Sequence, residues 1–425
     1  MIPSRLRDSA ARSCNIVRRG FALLAIAFLV DAAFLFVFLI ALQSYIPESM
    51  HGSAAIAGYA LAAFGLAKLA TQIGGGFISD RLGTARALAL GTALLLVADV
   101  LILVLAHTAP WLIIGAAAIE GLGSSVTWPA LYSAGADRFG EGDKGRFTAM
   151  LTLASGGALA VGLGGGAVLN MYVSFDAAMV GPIGAVAIAL GLTLVAGRTR
   201  GAAAGRMPAR LPLSEIPGVL ATPQRTVFAA LVLAEAVAIG ALTATFRAYG
   251  RDVLDVSLAR EGLLLAPAAV LGGLLVIPGG AMADRVGGRL TMALGFGLTG
   301  ACLLLLARLD DPLLVAAVGA LAGGAFGFAM PAIAATMIGL SRSAGVQGGL
   351  IGWFMTMDGF GHAAGPALAG LLLGISGAPA VLVLSGGLFL LVAYAATLIR
   401  VDAVHPATAI SAAAQPPVAV REASR

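Results

Sequence analysis

Seven ionisable side chains fall inside long apolar stretches of this 425-residue chain: Asp31, Lys68, Asp99, Glu120, Glu235, Asp358 and His362. A charge held in hydrocarbon costs several kcal/mol unless it is paired, wetted or neutralised. Counting ~1.5 Å per helical residue from the end of each stretch, Asp31 lies ~16 Å deep, Lys68 ~15 Å, Glu235 ~14 Å and Asp358 ~16 Å. Groups gathered at one depth are expected to line an aqueous cavity. Asp358 and His362, four residues apart, share one helix face. A carboxyl beside an imidazole, which titrates near neutrality, suits proton uptake and release. The plainer alternative makes His362 a hydrogen-bonded packing residue. Lys68 is a candidate ion-pair partner for the pair. Asp31 is the first candidate for coupling or substrate contact and Glu235 the second, with Glu120 in the same set. Asp99 reads as a local structural partner. No metal site is expected, because Asp358 and His362 supply two ligands and spacing fixes no third. Met330, Met337, Met355 and Met357 read as adaptable packing. Trp128, Tyr132 and Trp353 form an aromatic wall for an organic ligand, or else ordinary packing.

The elements that must carry these groups are membrane helices. Hydrophobic residues make up 59% of the chain and charged ones 11%, and the mean hydropathy is +0.97. Soluble domains carry roughly a quarter charged residues. Twelve apolar runs lie near 21–45, 53–78, 86–107, 110–134, 146–170, 177–197, 226–248, 258–282, 290–308, 312–338, 347–374 and 378–399. Each is long enough to cross ~30 Å of hydrocarbon as a helix, and continuous apolar runs of this length exclude strands. The fold class expected is all-α and integral to the membrane. Cys14 and Cys302 offer no disulfide or zinc framework. The run after Arg18-Arg19 is too long for a cleavable signal peptide.

Basic residues set the topology. With the N-terminus in the cytoplasm and the runs alternating, the opposite loops receive Arg247, Arg251, Arg260 and Arg308. All the rest of the 26 lysines and arginines, Lys68 inside its run apart, fall on the cytoplasmic side. Both termini are therefore expected there. The chain divides into a polar arm (1–19), a six-helix bundle (20–197), a linker (198–225), a second six-helix bundle (226–400) and a disordered tail (401–425). Four prolines in the linker, Pro208, Pro212, Pro217 and Pro223, mark it as a spacer. One short interfacial helix is expected near Leu213–Leu220.

The halves repeat. Between runs two and three stands Gly76-Phe-Ile-Ser-Asp80-Arg81-Leu-Gly83-Thr-Ala-Arg86; between runs eight and nine stands Gly280-Ala-Met-Ala-Asp284-Arg285-Val-Gly287-Gly-Arg289. Trp128-Pro129 in run four answers Met330-Pro331 in run ten. The glycines from Gly162 to Gly166 answer Gly361, Gly365, Pro366 and Gly370. Small residues at such spacing let helices approach closely.

The doubled Gly-x-x-x-Asp-Arg-x-Gly loop, in register with a repeat of the whole chain, resembles the signature loop of the major facilitator superfamily of transporters. The first copy has Thr84-Ala85 where the family places its first basic residue. The resemblance covers roughly residues 20–400. It implies two pseudo-symmetric six-helix bundles, with spans one, four, seven and ten around a cavity and spans two, five, eight and eleven at the bundle interface. It also implies that Asp80 faces the N-terminal end of span eleven, where the helix dipole favours a carboxylate. Arg81, Arg86 and Arg138 would pair with Asp137, and Asp284 with Arg285 would form the counterpart latch. Drug–proton antiporters of the superfamily carry an arginine where this chain has Ala117, which departs from the standard antiport machinery.

The interior holds five carboxylates against one lysine. That balance suits a neutral or cationic organic compound exchanged for protons, and the expected function is proton-coupled efflux by alternating access. The alternatives are uptake or exchange of an organic acid anchored by Lys68, and a non-transporting sensor or assembly partner. An enzyme is not expected, because the glycine-rich runs lie inside apolar spans and not after a strand. No cofactor and no nucleic-acid partner are expected, since the basic residues track one membrane face. The partners expected are a small-molecule substrate, protons and the lipid bilayer, with the chain a monomer in the inner (plasma) membrane.

Overall fold

The structure is a computed structural model that describes residues 4–38, 54–139, 143–159, 172–198, 222–256, 258–342 and 347–399, with positions 42, 161, 162 and 218 besides. Among the described residues there is no strand. The helices are α1 (Ser4–Phe36), α2 (Ala54–Leu82), α3 (Thr84–Thr108), α4 (Ile113–Arg138), α5 (Lys144–Leu159) and α6 (Phe175–Arg198), then α7 (Pro223–Asp252), α8 (Leu258–Val286), α9 (Gly288–Leu306) and α10 (Pro312–Arg342). The last stretch, Gln347–Leu398, breaks at Gly377, whose φ of 75° and ψ of −179° are not helical. We call the part before the break α11 and the part after it α12. Gly166, the interfacial helix expected near Leu213–Leu220 (position 218 apart) and the tail after 400 lie outside the described residues.

Nine helices among the described residues are long and apolar enough to cross a membrane by length and composition, with Gln347–Leu398 taken as one. α4 and α5 are not among them. α4 carries Glu120, Ser124, Ser125 and Thr127, which lower its hydropathy, and the described part of α5 has 16 residues. The polar arm is helical from Ser4 and runs without a break into α1, with Ile16 buried. Its Arg and Ala are good helix formers.

The packing repeats as the sequence does. In the first half α2 packs on α4, α1 on α5 and α6, and α3 on α4 and α6; in the second half α8 packs on α10, α7 on α11, and α9 on α10 and α12. Phe228, Phe296, Phe354 and Phe389 anchor the core of the second half. Leu95, Leu131, Phe139 and Phe147 anchor one core of the first half, and Phe38, Phe64 and Ile102 another. The halves meet where α2 packs on α11 and α5 on α8 and α10.

Candidate functional site

Each signature loop is a lock, and its residue pattern follows from backbone geometry. Gly76 and Gly280 lie where the two halves touch. A Cβ on Gly76 would strike the carbonyl oxygen of Gly348, and one on Gly280 that of Gly145. Four residues on, and so one turn away, Asp80 accepts hydrogen bonds from the amides of Gly348 (2.7 Å) and Gly349 (2.8 Å) at the start of α11. Asp284 accepts them from the amides of Gly145 (2.6 Å) and Arg146 (3.1 Å) at the start of α5. Each carboxylate fills the unpaired donors and meets the positive dipole end of a helix from the other half. Gly83 and Gly287 then turn the chain into the next helix at φ 84°, ψ 150° and φ 101°, ψ 151°, a region open essentially to glycine alone.

The locks are not identical. Arg146 adds its guanidinium to Asp284 at 3.3 Å, with both side chains buried. Beside Asp80 stands the carboxylate of Asp137. Arg81, Arg86, Arg285 and Arg289 are exposed on the same end of the molecule. Arg138 lies at the end of α4, where its carbonyl accepts a hydrogen bond from Arg19. Gln347 adds a bond to the Ser133 carbonyl, and Thr148 one to the Pro331 carbonyl. Both of these cross between the halves at the locked end.

Further in from the locks, a cavity of about 500 Å³ lies between the halves, lined by residues of α1, α2, α3, α4, α5, α10 and α11. It gathers Asp31, Lys68, Glu120, Trp128, Tyr132, Asp358 and His362. Its size fits a small organic ligand. Asp31 accepts a hydrogen bond from Ser155. Lys68 lies in electrostatic range of both Asp358 and Asp31, and its ammonium stands 5.8 Å from the centre of the Phe64 ring. His362 Nδ1 is 3.5 Å from the Asp358 carboxylate and 3.1 Å from its carbonyl oxygen. The one lysine among the described wall residues is therefore within electrostatic range of a carboxylate of each half.

Two expected residues are not on this wall. Glu235 is buried, 4% exposed, and lies behind it, within electrostatic range of Asp358. α7 packs on α11 so closely that a Cβ on Gly361 would meet Ala236, and one on Gly365 the Val237 carbonyl. Trp353 packs against the core of the second half. It lies five positions before Asp358, about 140° around the helix, so it faces away from the cavity. Gly162 meets Ala32 of α1, Gly370 has open space around it, and Pro129, Pro331 and Pro366 lie inside helices.

Sequence reasoning missed Phe34, Phe64, Ser124, Thr152 and Ser155 on the wall. The first three carried a signal. Phe34 follows Asp31 by three, Phe64 precedes Lys68 by four and Ser124 follows Glu120 by four, so each shares a helix face with an ionisable group. Phe34 and Phe64 pack with tilted rings whose centres are 4.6 Å apart. Nothing in the sequence marks Thr152 and Ser155, which α5 brings in only by packing against α1.

The sequence model described as Major Facilitator Superfamily matches residues 24–338 and 262–425. No curated protein matches the sequence at a significant level. Among solved structures, the human organic anion transporter MFSD10 (TETRAN) is 16% identical, with a TM-score of 0.71 over 89% of this chain and 99% of that one. The E. coli fucose:proton symporter FucP is 14% identical, with a TM-score of 0.70 over 91% of this chain and 99% of its own. A second FucP structure, in the outward conformation, is 15% identical with the same TM-score, over 89% and 98%. At such identities the likeness shows the fold alone.

Proposed function

The chain belongs to the major facilitator superfamily, and from that premise we propose that it exports small organic compounds, neutral or cationic, in exchange for protons. The observation that supports this most is the cavity between the halves, where Asp31, Glu120 and Asp358 outnumber Lys68. Burying such groups is costly. A scaffold or sensor has no use for them, whereas a carrier that trades protons for cargo does. Trp128, Tyr132, Phe34 and Phe64 give the wall the aromatic surface that an organic ligand packs against.

In this reading the chain has twelve spans, both termini are cytoplasmic, and a monomer works in the inner membrane. The two carboxylate locks then close the cytoplasmic side, and the cavity opens outward. Lys68, shared by Asp31 and Asp358, senses the charge of both halves. When a proton or a cationic cargo neutralises one carboxylate, the ion-pair network across the interface rearranges and the halves rock about the cavity. One observation favours a second reading. Lys68 is a cation beside the Phe64 ring at the cavity wall, which suits an organic acid held by its carboxylate.

The test uses protein reconstituted in liposomes with a pH dye inside, challenged with panels of organic cations, neutral compounds and organic acids. Proton flux elicited by cations or neutral compounds, and abolished by Asp31→Asn or Asp358→Asn, supports export by exchange. Acid-specific flux lost in Lys68→Met supports the second reading. Solute movement without proton movement in any variant would sink proton coupling.

A further inference from the structure

Asp99 takes no part in the locks or in the cavity wall, yet it is the most deeply buried carboxylate described, 1% exposed. α3 and α4 are antiparallel and cross at glycines. A Cβ on Gly91 would strike Thr127, and one on Gly123 would strike the Gly91 carbonyl and Leu95. One turn on from Leu95 is Asp99, and one turn back from Gly123 is Glu120. The crossing thus sets the two carboxyls side by side, and they interact electrostatically. Glu120 is 3% exposed. Among the described residues neither oxygen of Asp99 has a hydrogen-bond partner, nor does Oε2 of Glu120. Buried acceptors without donors are rare in folded proteins, and two facing carboxylates cannot both be charged cheaply.

We propose that Asp99 and Glu120 form a paired carboxyl site that binds one exchangeable proton behind the cavity wall and passes it to the cavity through Glu120. The proton belongs to an O–H of one carboxyl and is donated to an oxygen of the other, directly or through one water. That bond engages two of the three oxygens left open. Glu120 is also a wall residue of the cavity. Release breaks the Glu120 O–H bond, moves the proton to cavity water and leaves two carboxylates. Uptake reverses the step.

The groups that face the pair are few. From α2 comes Lys68, whose backbone nitrogen is against Gly121 and whose side chain shares the cavity with Glu120. From α1 comes Asp31, and from α11, across the cavity, come Asp358 and His362. α5 brings Thr152 and Ser155. α6 packs on α3, and its ionisable residues, Asp176 and Arg198, are at its two ends. Among the described residues that line the cavity with Glu120, Lys68 is the one lysine or arginine. The proposal rests on the transport reading only for the use made of the proton.

The test needs no cargo. Purified full-length protein in lipid is titrated with acid and base while the C=O stretch of protonated carboxyls is followed by infrared spectroscopy, and bound protons are counted in parallel without buffer. Asp99→Asn and Glu120→Gln should each remove the same titrating band and one bound proton, and the double variant should remove no more. Asp99→Asn keeps the volume of the side chain, and Glu120→Gln gives an independent check should one variant fold poorly. A band that survives Asp99→Asn in folded protein overturns the pairing, and so does a band that responds to sodium ions in place of protons. Failure of the transport reading is seen separately, as liposomes in which no compound moves.

Discussion

Asp80 and Gly348, 268 positions apart in the chain, are joined by a 2.7 Å hydrogen bond from the Gly348 amide to the Asp80 carboxylate. Asp284 and Gly145 repeat the bond at 2.6 Å in the other half. Two copies of one loop thus each contact the start of a helix in the opposite half, and both contacts join the halves.

Asp80→Asn keeps the shape of the lock and removes its charge. Hydrogen bonds to a charged group contribute about 1.5–3 kcal/mol, so the closed end should lose a factor of ten or more in population. Distances between spin labels at the exposed positions 82 and 285, measured by double electron–electron resonance, should show a new long component. An unchanged distribution would mean that the lock is ornamental.

Asp284→Asn should cost more. It leaves the buried Arg146 guanidinium without the carboxylate that it faces at 3.3 Å, with Asp143 3.9 Å away as a partial substitute. Removing one partner of a buried pair typically costs about 3–5 kcal/mol. Thermal unfolding in detergent should rank the variants wild type, Asp80→Asn, Asp284→Asn, from most to least stable. The reverse order would show that Arg146 finds another partner.

Gly76→Ala should open the same end by sterics alone. Its Cβ meets the backbone of Gly348, which has no flexible side chain to move aside, and overpacking of this kind costs about 1–3 kcal/mol. Gly74 has open space around it, so Gly74→Ala should be neutral or gain up to about 1 kcal/mol from helix propensity. Equal effects of the two in a melting experiment would refute the close-contact account.

Gly287 tests conformation apart from contact, since nothing lies within reach of a Cβ there. At φ 101° and ψ 151° asparagine has no advantage over alanine, unlike at an ordinary left-handed turn. Gly287→Ala and Gly287→Asn should each lose about 1–3 kcal/mol. A clear rescue by asparagine would show that the loop adopts another turn.

Lys68→Met removes the cation between Asp31 and Asp358. Exchange of cargo in liposomes should fall at least tenfold and the melting temperature should fall with it; adding Asp358→Asn, itself inactive in exchange, should restore part of the stability by removing the charge left unpaired. No recovery in the double variant would place Lys68 in direct contact with cargo rather than in the ion-pair network.

The helical class was legible from composition alone, because apolar runs of this length have one stable backbone solution in lipid. The sequence by itself also determined the repeat and the loop chemistry. A glycine, an aspartate one turn on and a second glycine three further are local spacings; that Asp80 meets the start of α11 was implied by the family resemblance, and the hydrogen bonds of Asp80 and Asp284 agree with it. Only the tertiary structure decided which buried groups meet. Glu235 and Trp353 had the residue types of a cavity wall, but the rotation of α7 and α11 about their axes turned them away, and rotation is set by packing between helices. Arg146 came to Asp284, and Asp99 to Glu120, through crossings of α5 with α8 and of α3 with α4. Depth along a helix is read by counting residues. Facing is decided by neighbours far away in the chain.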